Sequence, residues 1–474
     1  MGKLKKIIFL IFIFLFVFCL LVVLPGLDWQ KDWFFVLALG LCVLITAVGL
    51  YDFKKLILLL ILILPALLKF NDLKIDLAKF SPLFKNYNLP LNLTALACSF
   101  IILFGLGTIL VNWQKIKSLP LKSILFLYVC YLIISIAWSK DLALSLSGLV
   151  YFIAPPAIYI ITYSYFSSHL DFIKTIFFVL ASAIIPLALS AWQIVDGQYF
   201  FEPDSALARI KGPFVHPNLF GLYLFVIIGL AVSYYLAKRD KSLKRNLIIL
   251  FFTVALAIVF ILTYSRVSWA CLALFLFVFA FLKRYLIILL SIITPMALLT
   301  ITIFESIRFR VMEIFENAFF NSWVARKNIW QVSWQEILEK PFFGNGVGTS
   351  EMVIEEAKNW TGGTSLPHND FLLYGLELGL VGFFLFITYT LGAIYYASKT
   401  FFSLPNLDTE IKIFGQKIIL NFKTLSLGIL ILISSLFLAS FFESVSRGLV
   451  TQIMVWAVLG SLFGLKNLER ESLT

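Results

Sequence analysis

Long apolar runs separated by short polar stretches make up almost the whole chain. A helix needs about 20 apolar residues to cross the hydrocarbon core of a bilayer, and it satisfies its own backbone hydrogen bonds there. The pattern therefore predicts an all-α integral membrane protein with about 12–14 transmembrane helices. The candidate spans are 7–24, 33–50, 55–70, 94–112, 121–138, 145–163, 172–192, 218–237, 246–263, 267–282, 284–304, 371–397, 418–442 and 447–465.

The basic residues between the spans predict the topology. Because positive residues favour the cytoplasmic side, both termini are expected in the cytoplasm. No small-residue cleavage site follows the first span, so we expect it to be retained rather than removed as a signal peptide. The predicted cytoplasmic clusters are Lys54/Lys55, Lys115/Lys117/Lys122, Lys238/Arg239/Lys241/Lys244/Arg245, Lys283/Arg284, Lys399/Lys412/Lys417 and Lys466/Arg470.

Composition excludes several classes of protein. With 61% hydrophobic and 14% charged residues, the chain has too much apolar surface for a water-soluble fold. The net charge of +12 is spread between apolar segments, which favours anionic membrane lipids over nucleic acid as the partner. The five cysteines stand singly within apolar runs, so neither a redox nor a metal site is expected from them.

Segment 305–370 is the longest polar stretch and is predicted to be a large extracytoplasmic loop within one membrane domain, 1–474. Residues 323–340 have a helical pattern that ends at Pro341. Its apolar side chains share one face, which is typical of a helix lying at the membrane surface; they are Trp330, Trp334, Ile337 and Leu338.

Four ionisable residues from separate parts of the chain are predicted to lie on the extracytoplasmic face: Arg209, Arg266, Arg326 and His368. Charged groups at a membrane are costly and therefore mark functional sites. Guanidinium groups bind phosphate oxygens in a planar, bidentate manner, so converging arginines would suit a diphosphate. The alternatives are an interface anchor for Arg266 and a solvated surface residue for Arg326.

His368 stands just before the twelfth span, where Asn369 or Asp370 could cap the helix. The positive end of the helix dipole favours a neutral imidazole, which can act as a general base. The alternative is a histidine that only makes hydrogen bonds in a loop. We interpret His216 as mainly structural, with Asn218 capping the next span. Structural ion pairing with arginines is the expected role of the acids Glu377 and Glu443.

Common cofactor and metal motifs are missing from the chain, so no cofactor or metal is expected. The glycines of 344–348 follow Pro341 and open no strand-to-helix turn, so they are interpreted as a turn rather than a nucleotide loop. An extracytoplasmic enzyme without nucleotide or metal must take the driving force of its reaction from the substrate. A lipid diphosphate can supply that driving force as the leaving group.

Five ordered motifs in residues 200–390 resemble the bacterial O-antigen ligase and polymerase family. They are Arg209-Ile-Lys-Gly-Pro-Phe-Val-His-Pro-Asn218, Thr263-Tyr-Ser-Arg266, Arg326-Lys-Asn-Ile-Trp330, Pro341-Phe-Phe-Gly-Asn-Gly-Val-Gly348 and His368-Asn-Asp-Phe-Leu372, with Glu377-Leu-Gly-Leu-Val-Gly382 following. The chain departs from a common form of the pattern just before His368. It has Leu366 and Pro367 there, whereas the common form has another polar residue or a histidine.

The resemblance implies a metal-independent, inverting membrane glycosyltransferase of the bacterial inner membrane with an extracytoplasmic site. Its donor would be a glycan on undecaprenyl diphosphate and its acceptor a sugar hydroxyl, on lipid A-core for a ligase. His368 would be the base, while Arg209 and Arg266 would hold the diphosphate. The expected further substrate contacts are Arg326, Lys211, Asn218 and Asn369.

Two alternatives stay open at this point. A polymerase of the same family would use another lipid-linked glycan as acceptor, and nothing in the sequence separates it from a ligase. A transporter of lipid-linked glycans would instead require charged or broken helices near the middle of the membrane, whereas the basic residues here collect at one face.

Overall fold

The computed structural model describes residues 52–70, 93–200, 208–239, 243–284, 308, 317–357, 365–413 and 415–471. The spans predicted at 7–24 and 33–50, and nearly all of the one at 284–304, lie outside these residues. The chain divides into two compact units. Unit 1 contains the described residues up to Ser182, together with Gly346–Gly348 and the chain from Gln452. Unit 2 contains Ala183–Asn345 and Thr349–Thr451.

The helices of unit 1 match predicted spans, apart from the four-residue helix Trp113–Ile116, which lies between two of them. The helices are α1 (Phe53–Leu67), α2 (Leu93–Val111), α3 (Trp113–Ile116), α4 (Lys122–Ile134), α5 (Leu142–Tyr165), α6 (His169–Ala181) and most of α15 (Leu449–Glu471). Lys54 and Lys55 donate their backbone N–H groups to the side chain of Asp52, which caps α1, and the side chain of Asp141 caps α5 in the same way. Short 3-10 turns follow α1 and α4, at Leu68–Phe70 and Ser135–Trp138.

Helix α5 is central to unit 1. It packs along α2, where Gly105 lies against Ala157, and its Tyr159 ring contacts two aromatic rings of α15 edge-on, Trp456 at 5.4 Å and Phe463 at 6.1 Å. The turn at Gly346–Gly348 belongs to this unit because Ser145 donates a hydrogen bond to the Val347 carbonyl at 2.6 Å.

Unit 2 contains the remaining elements. Its helices are α7 (Ile184–Asp196), α8 (Pro217–Ala237), α9 (Leu243–Leu262), α10 (Arg266–Leu282), α11 (Asn317–Glu339), α12 (Ser350–Glu356), α13 (Asp370–Ser403) and α14 (Phe422–Ala439). A hairpin of β1 (Asp408–Ile413) and β2 (Gln416–Asn421) connects α13 to α14 in antiparallel register. A 3-10 turn at Val445–Arg447 follows α14.

Helix α8 is buried along almost its whole length and packs against α10 and α14. Small residues allow the close approach: Gly221 faces Ser265 and Ser268, and Gly229 faces Leu432. Large apolar side chains on the outer surfaces of several helices, such as Phe277, Phe384 and Tyr395, are exposed, as lipid-facing residues would be.

Six described helical segments are long and apolar enough to cross a bilayer, and the chain is a multi-pass membrane protein. Helix α6 ends at Ala181 and α7 begins at Ile184, so the predicted span 172–192 is two helices in sequence. The six segments are Leu93–Val111, Leu142–Tyr165, His169–Asp196, Pro217–Ala237, Asp370–Ser403 and Phe422–Ala439.

The hairpin is a departure from the all-α prediction. The predicted span 418–442 begins within β2, and its helix starts only at Phe422. Buried Ile411 and Ile413 alternate with exposed residues on β1, and this period of two is typical of a half-buried strand. The apolar residues of β2 were wrongly joined to the helix because they continue its hydrophobic run.

Helix α11 packs through Ile329, Val332 and Ile337 against α12 and α13. The four apolar residues predicted to share one face do not behave alike. Trp330 is partly buried beside this cluster and Ile337 is buried, whereas Trp334 is 57% and Leu338 60% exposed. A membrane-surface position for α11 therefore stays a prediction that rests on Trp334 and Leu338.

Helix α13 is broken at Gly379, whose φ of 63° and ψ of −163° are accessible essentially only to glycine. The loop after α11 supplies hydrogen bonds at the break. Leu380 donates its N–H to the Pro341 carbonyl at 2.7 Å, and Asn345 donates its N–H to the Leu376 carbonyl at 3.0 Å. A side chain at Gly344 would collide with the Glu377 carbonyl. Two of the sequence motifs are thus in contact with each other.

Candidate functional site

His368 lies in the loop that leads into α13, with its side chain 13% exposed. Asn369 caps the helix by accepting the Leu372 N–H at 3.1 Å, as the sequence predicted. The Trp330 indole donates to the Pro367 carbonyl at 2.8 Å and holds the loop from α11. His368 has a φ of 49°, a left-handed backbone that is uncommon for residues other than glycine and is found at functional sites.

Glu443, in the turn after α14, is the partner of His368. Its Oε1 lies 2.7 Å from His368 Nδ1, and its side chain is 1% exposed. Burial alone would raise the pKa of Glu443. The charges of His368, Arg326 and His216, together with the hydrogen bond to His368, outweigh burial and lower the pKa to about 2. The carboxyl group is therefore ionised across the physiological pH range.

Arg209 reaches Glu443 through Asn218. Its guanidinium is buried, with the residue 1% exposed, and donates to the Thr263 carbonyl at 2.9 Å and to Asn218 Oδ1 at 2.6 Å. The Asn218 amide in turn donates to Glu443 Oε2 at 2.7 Å. A continuous chain of hydrogen bonds therefore runs from Arg209 through Asn218 and Glu443 to His368.

Arg266 is the first residue of α10, three residues after Thr263. The backbone of this joint is held from the Arg209 segment, because Ile210 donates its N–H to the Leu262 carbonyl at 3.0 Å and Arg209 binds the Thr263 carbonyl. Arg266 is partly exposed. The structure thus brings the joint that carries Arg266 to the segment whose side chains lead to His368.

The other predicted contacts lie around the same centre. Arg326 of α11 donates to the Phe442 carbonyl at 2.9 Å, next to Glu443. Asn369 donates to the Phe441 carbonyl at 3.0 Å, so its amide serves both the cap and the turn after α14. Lys211 Nζ lies 5.8 Å from the centre of the Phe200 ring.

His216 takes the capping position that the sequence assigned to Asn218, a structural role of the kind predicted for it. It is the N-cap of α8, where Asn218 was expected, because His216 Nδ1 accepts the backbone N–H of Asn218 at 3.1 Å. Its ring is also 6.1 Å from the His368 ring, centre to centre, and 5.2 Å from Phe200. The cap therefore places a second imidazole beside the first.

A second buried ion pair supports the neighbouring backbone. Arg447 pairs with Glu377 of α13 and donates to Ser350 Oγ at 2.8 Å. Asp370 accepts the Ser446 N–H at 3.1 Å. These bonds tie the turn of residues 440–448 to α13. Glu377 thus forms a structural ion pair, as predicted, but its partner is Arg447 and not one of the arginines singled out from the sequence.

Sequence reasoning also missed Glu443 as the partner of His368. The available signal was an acid directly after a predicted span and on the same predicted face as His368, but the two residues are 75 positions apart. Among the described residues, no three His, Cys, Asp or Glu side chains lie close enough together to hold a metal ion. The site therefore contains an imidazole that can accept a proton, at His368, and arginine side chains whose positive charge suits an anionic group.

Comparison with known proteins agrees with the motifs. Residues 251–387 match the family model of the O-antigen ligase domain, so the predicted resemblance to that family is confirmed. The match includes Arg266, Arg326 and His368, whereas Arg209, His216 and Glu443 lie outside it. No curated protein matches the chain.

Proposed function

Because residues 251–387 form a domain of the O-antigen ligase family, we propose that the protein transfers a glycan from undecaprenyl diphosphate to a sugar hydroxyl, such as one on lipid A-core. The reaction would take place on the extracytoplasmic side of the bacterial inner membrane. The observation that carries the proposal is the 2.7 Å contact between His368 Nδ1 and the ionised Glu443 carboxylate. A carboxylate in this position prepares the opposite ring nitrogen for proton transfer.

In the proposed step His368 is the general base. Glu443 accepts the hydrogen on Nδ1, which leaves Nε2 as the proton acceptor. Nε2 takes the proton of the acceptor hydroxyl while the hydroxyl oxygen bonds to the anomeric carbon of the donor. The bond from that carbon to the diphosphate oxygen breaks, and its electron pair leaves with the diphosphate. Attack opposite the leaving group inverts the anomeric centre, and the Glu443 carboxylate stabilises the positive imidazolium.

The arginines have different roles in this proposal. Arg266 is partly exposed at the start of α10 and is assigned to the diphosphate, whose developing charge it would stabilise. Arg209 is buried and donates hydrogen bonds to the Thr263 carbonyl and to Asn218. We therefore assign it a positioning role: it holds the backbone just before Arg266, and it holds the Asn218 amide that binds Glu443. Direct binding of the diphosphate by Arg209, as the resemblance implies, would require this buried guanidinium to become accessible. Arg326 is assigned to donor positioning.

The test is transfer from a lipid diphosphate glycan by the purified protein in proteoliposomes. His368→Ala should abolish turnover, and so should His368→Gln, whose amide can still donate to Glu443 and preserve the fold. His169→Ala is the matched control, because His169 begins α6 in unit 1 and should leave turnover unchanged. Turnover that survives both His368 substitutions would overturn the general base. Offering lipid A-core or a second lipid-linked glycan as acceptor separates ligase from polymerase.

A further inference from the structure

The hydrogen bond that caps α8 determines which nitrogen of His216 carries hydrogen. Nδ1 accepts the Asn218 N–H at 3.1 Å, and a ring nitrogen that accepts a hydrogen bond has no hydrogen of its own. A neutral His216 ring must therefore carry its hydrogen on Nε2. The cap uses only Nδ1, so capping gives no reason for an imidazole in preference to the smaller Asn or Ser, which are among the preferred N-caps.

The surroundings of His216 give such a reason. Its ring lies 6.1 Å from the His368 ring and 5.2 Å from the Phe200 ring, and Lys211 Nζ lies 5.8 Å from the centre of the same Phe200 ring. His216 is partly exposed. The Phe200 ring is thus a shared neighbour of His216 and of the Lys211 ammonium group, and the His368 ring is a second neighbour of His216. The Lys211 ammonium group favours an anionic ligand near Phe200, where His216 also lies.

We propose that His216 contacts the donor substrate, with Nε2–H donating a hydrogen bond to the diphosphate as the glycan leaves, beside the ammonium group of Lys211. This inference rests on the proposed function and adds a residue to it. His368 takes the proton of the acceptor hydroxyl, whereas His216 transfers no proton. His216 stabilises the negative charge that develops on the diphosphate oxygen. The two imidazoles thus serve the two ends of the reaction, the incoming hydroxyl and the departing diphosphate.

Substitutions that keep the cap test this role. His216→Asn, His216→Ser and His216→Asp each supply an oxygen that can accept the Asn218 N–H, and none supplies the Nε2–H donor. Turnover should fall about 10²–10³-fold with Asn or Ser, as when one donor to a developing oxyanion is removed. Asp adds a negative charge beside the diphosphate and should also raise KM for the donor. KM for the acceptor should stay at the wild-type value in all three.

The outcomes separate this inference from the proposed function. Wild-type turnover in the folded Asn and Ser variants would show that His216 is only a cap and would overturn the inference, while loss of turnover in His368→Ala would still support the proposed function. A wild-type protein that transfers no glycan would instead overturn the proposed function itself. If none of the three variants folds as stably as wild type in thermal unfolding, the premise that the cap uses only Nδ1 is wrong.

Discussion

Replacement of Glu443 by glutamine tests the centre of the site. Glu443 is buried, and its pKa falls from an ordinary 4.5 to about 2 in the folded protein. Each pKa unit corresponds to about 1.4 kcal/mol, so the shift that His368, Arg326 and His216 produce while charged corresponds to roughly 3 kcal/mol in favour of the ionised carboxylate in the folded protein. Because the folded pKa is the lower one, this contribution is complete above pH 4.5 and is lost as the pH falls towards 2.

Glutamine keeps the shape of the side chain and can still accept the hydrogen bond from Asn218. Its amide NH₂ would then face His368 Nδ1 and force the ring hydrogen onto Nε2, the nitrogen that must accept the proton. In a serine protease triad, the equivalent change from carboxylate to amide costs about 10⁴-fold in kcat. We expect Glu443→Gln to lose turnover on that order and to lower stability at pH 7.

The assay compares unfolding of wild type and Glu443→Gln in mild detergent at pH 7 and pH 3, together with glycan transfer at pH 7. The stability difference should be large at pH 7 and should shrink at pH 3. Glu410→Gln is the matched control, because Glu410 and Lys417 form an exposed ion pair that contributes little. A stability difference that does not change with pH, or normal turnover in Glu443→Gln, would refute the reasoning.

Two further substitutions test the supports of the site. Gly379→Ala should destabilise the protein by about 1–3 kcal/mol, because the backbone conformation at the break in α13 is essentially restricted to glycine. Thermal unfolding measures the loss of stability. Gly415→Ala is the control, because Gly415 has a positive φ in the hairpin turn with open space around it, so its loss of stability comes from φ alone. A side chain at Gly379 would also collide with the Phe342 backbone, so equal effects of the two substitutions would argue against that collision. Trp330→Phe removes the hydrogen bond to Pro367, worth about 1 kcal/mol, and should speed hydrogen exchange in residues 365–369; unchanged exchange would contradict this.

The sequence alone determined the membrane class and most helix positions. The predicted span 218–237 is the helix Pro217–Ala237, and the predicted cap at Asn369 is present. Both are local properties, since a long apolar run selects a helix through its own backbone hydrogen bonds, and a cap acts within three residues. The motifs also sufficed to predict the family of residues 251–387.

Only the tertiary structure decided how the candidate site is assembled. Asn218 and Glu443 are 225 positions apart, and His368 and Glu443 are 75 apart, so no periodicity in the sequence relates them. Helix α13 could not be predicted to break at Gly379, because the hydrogen bonds at the break come from the distant loop at Pro341. Local apolar patterns select helices, whereas the partner of a buried charge is determined by how those helices pack.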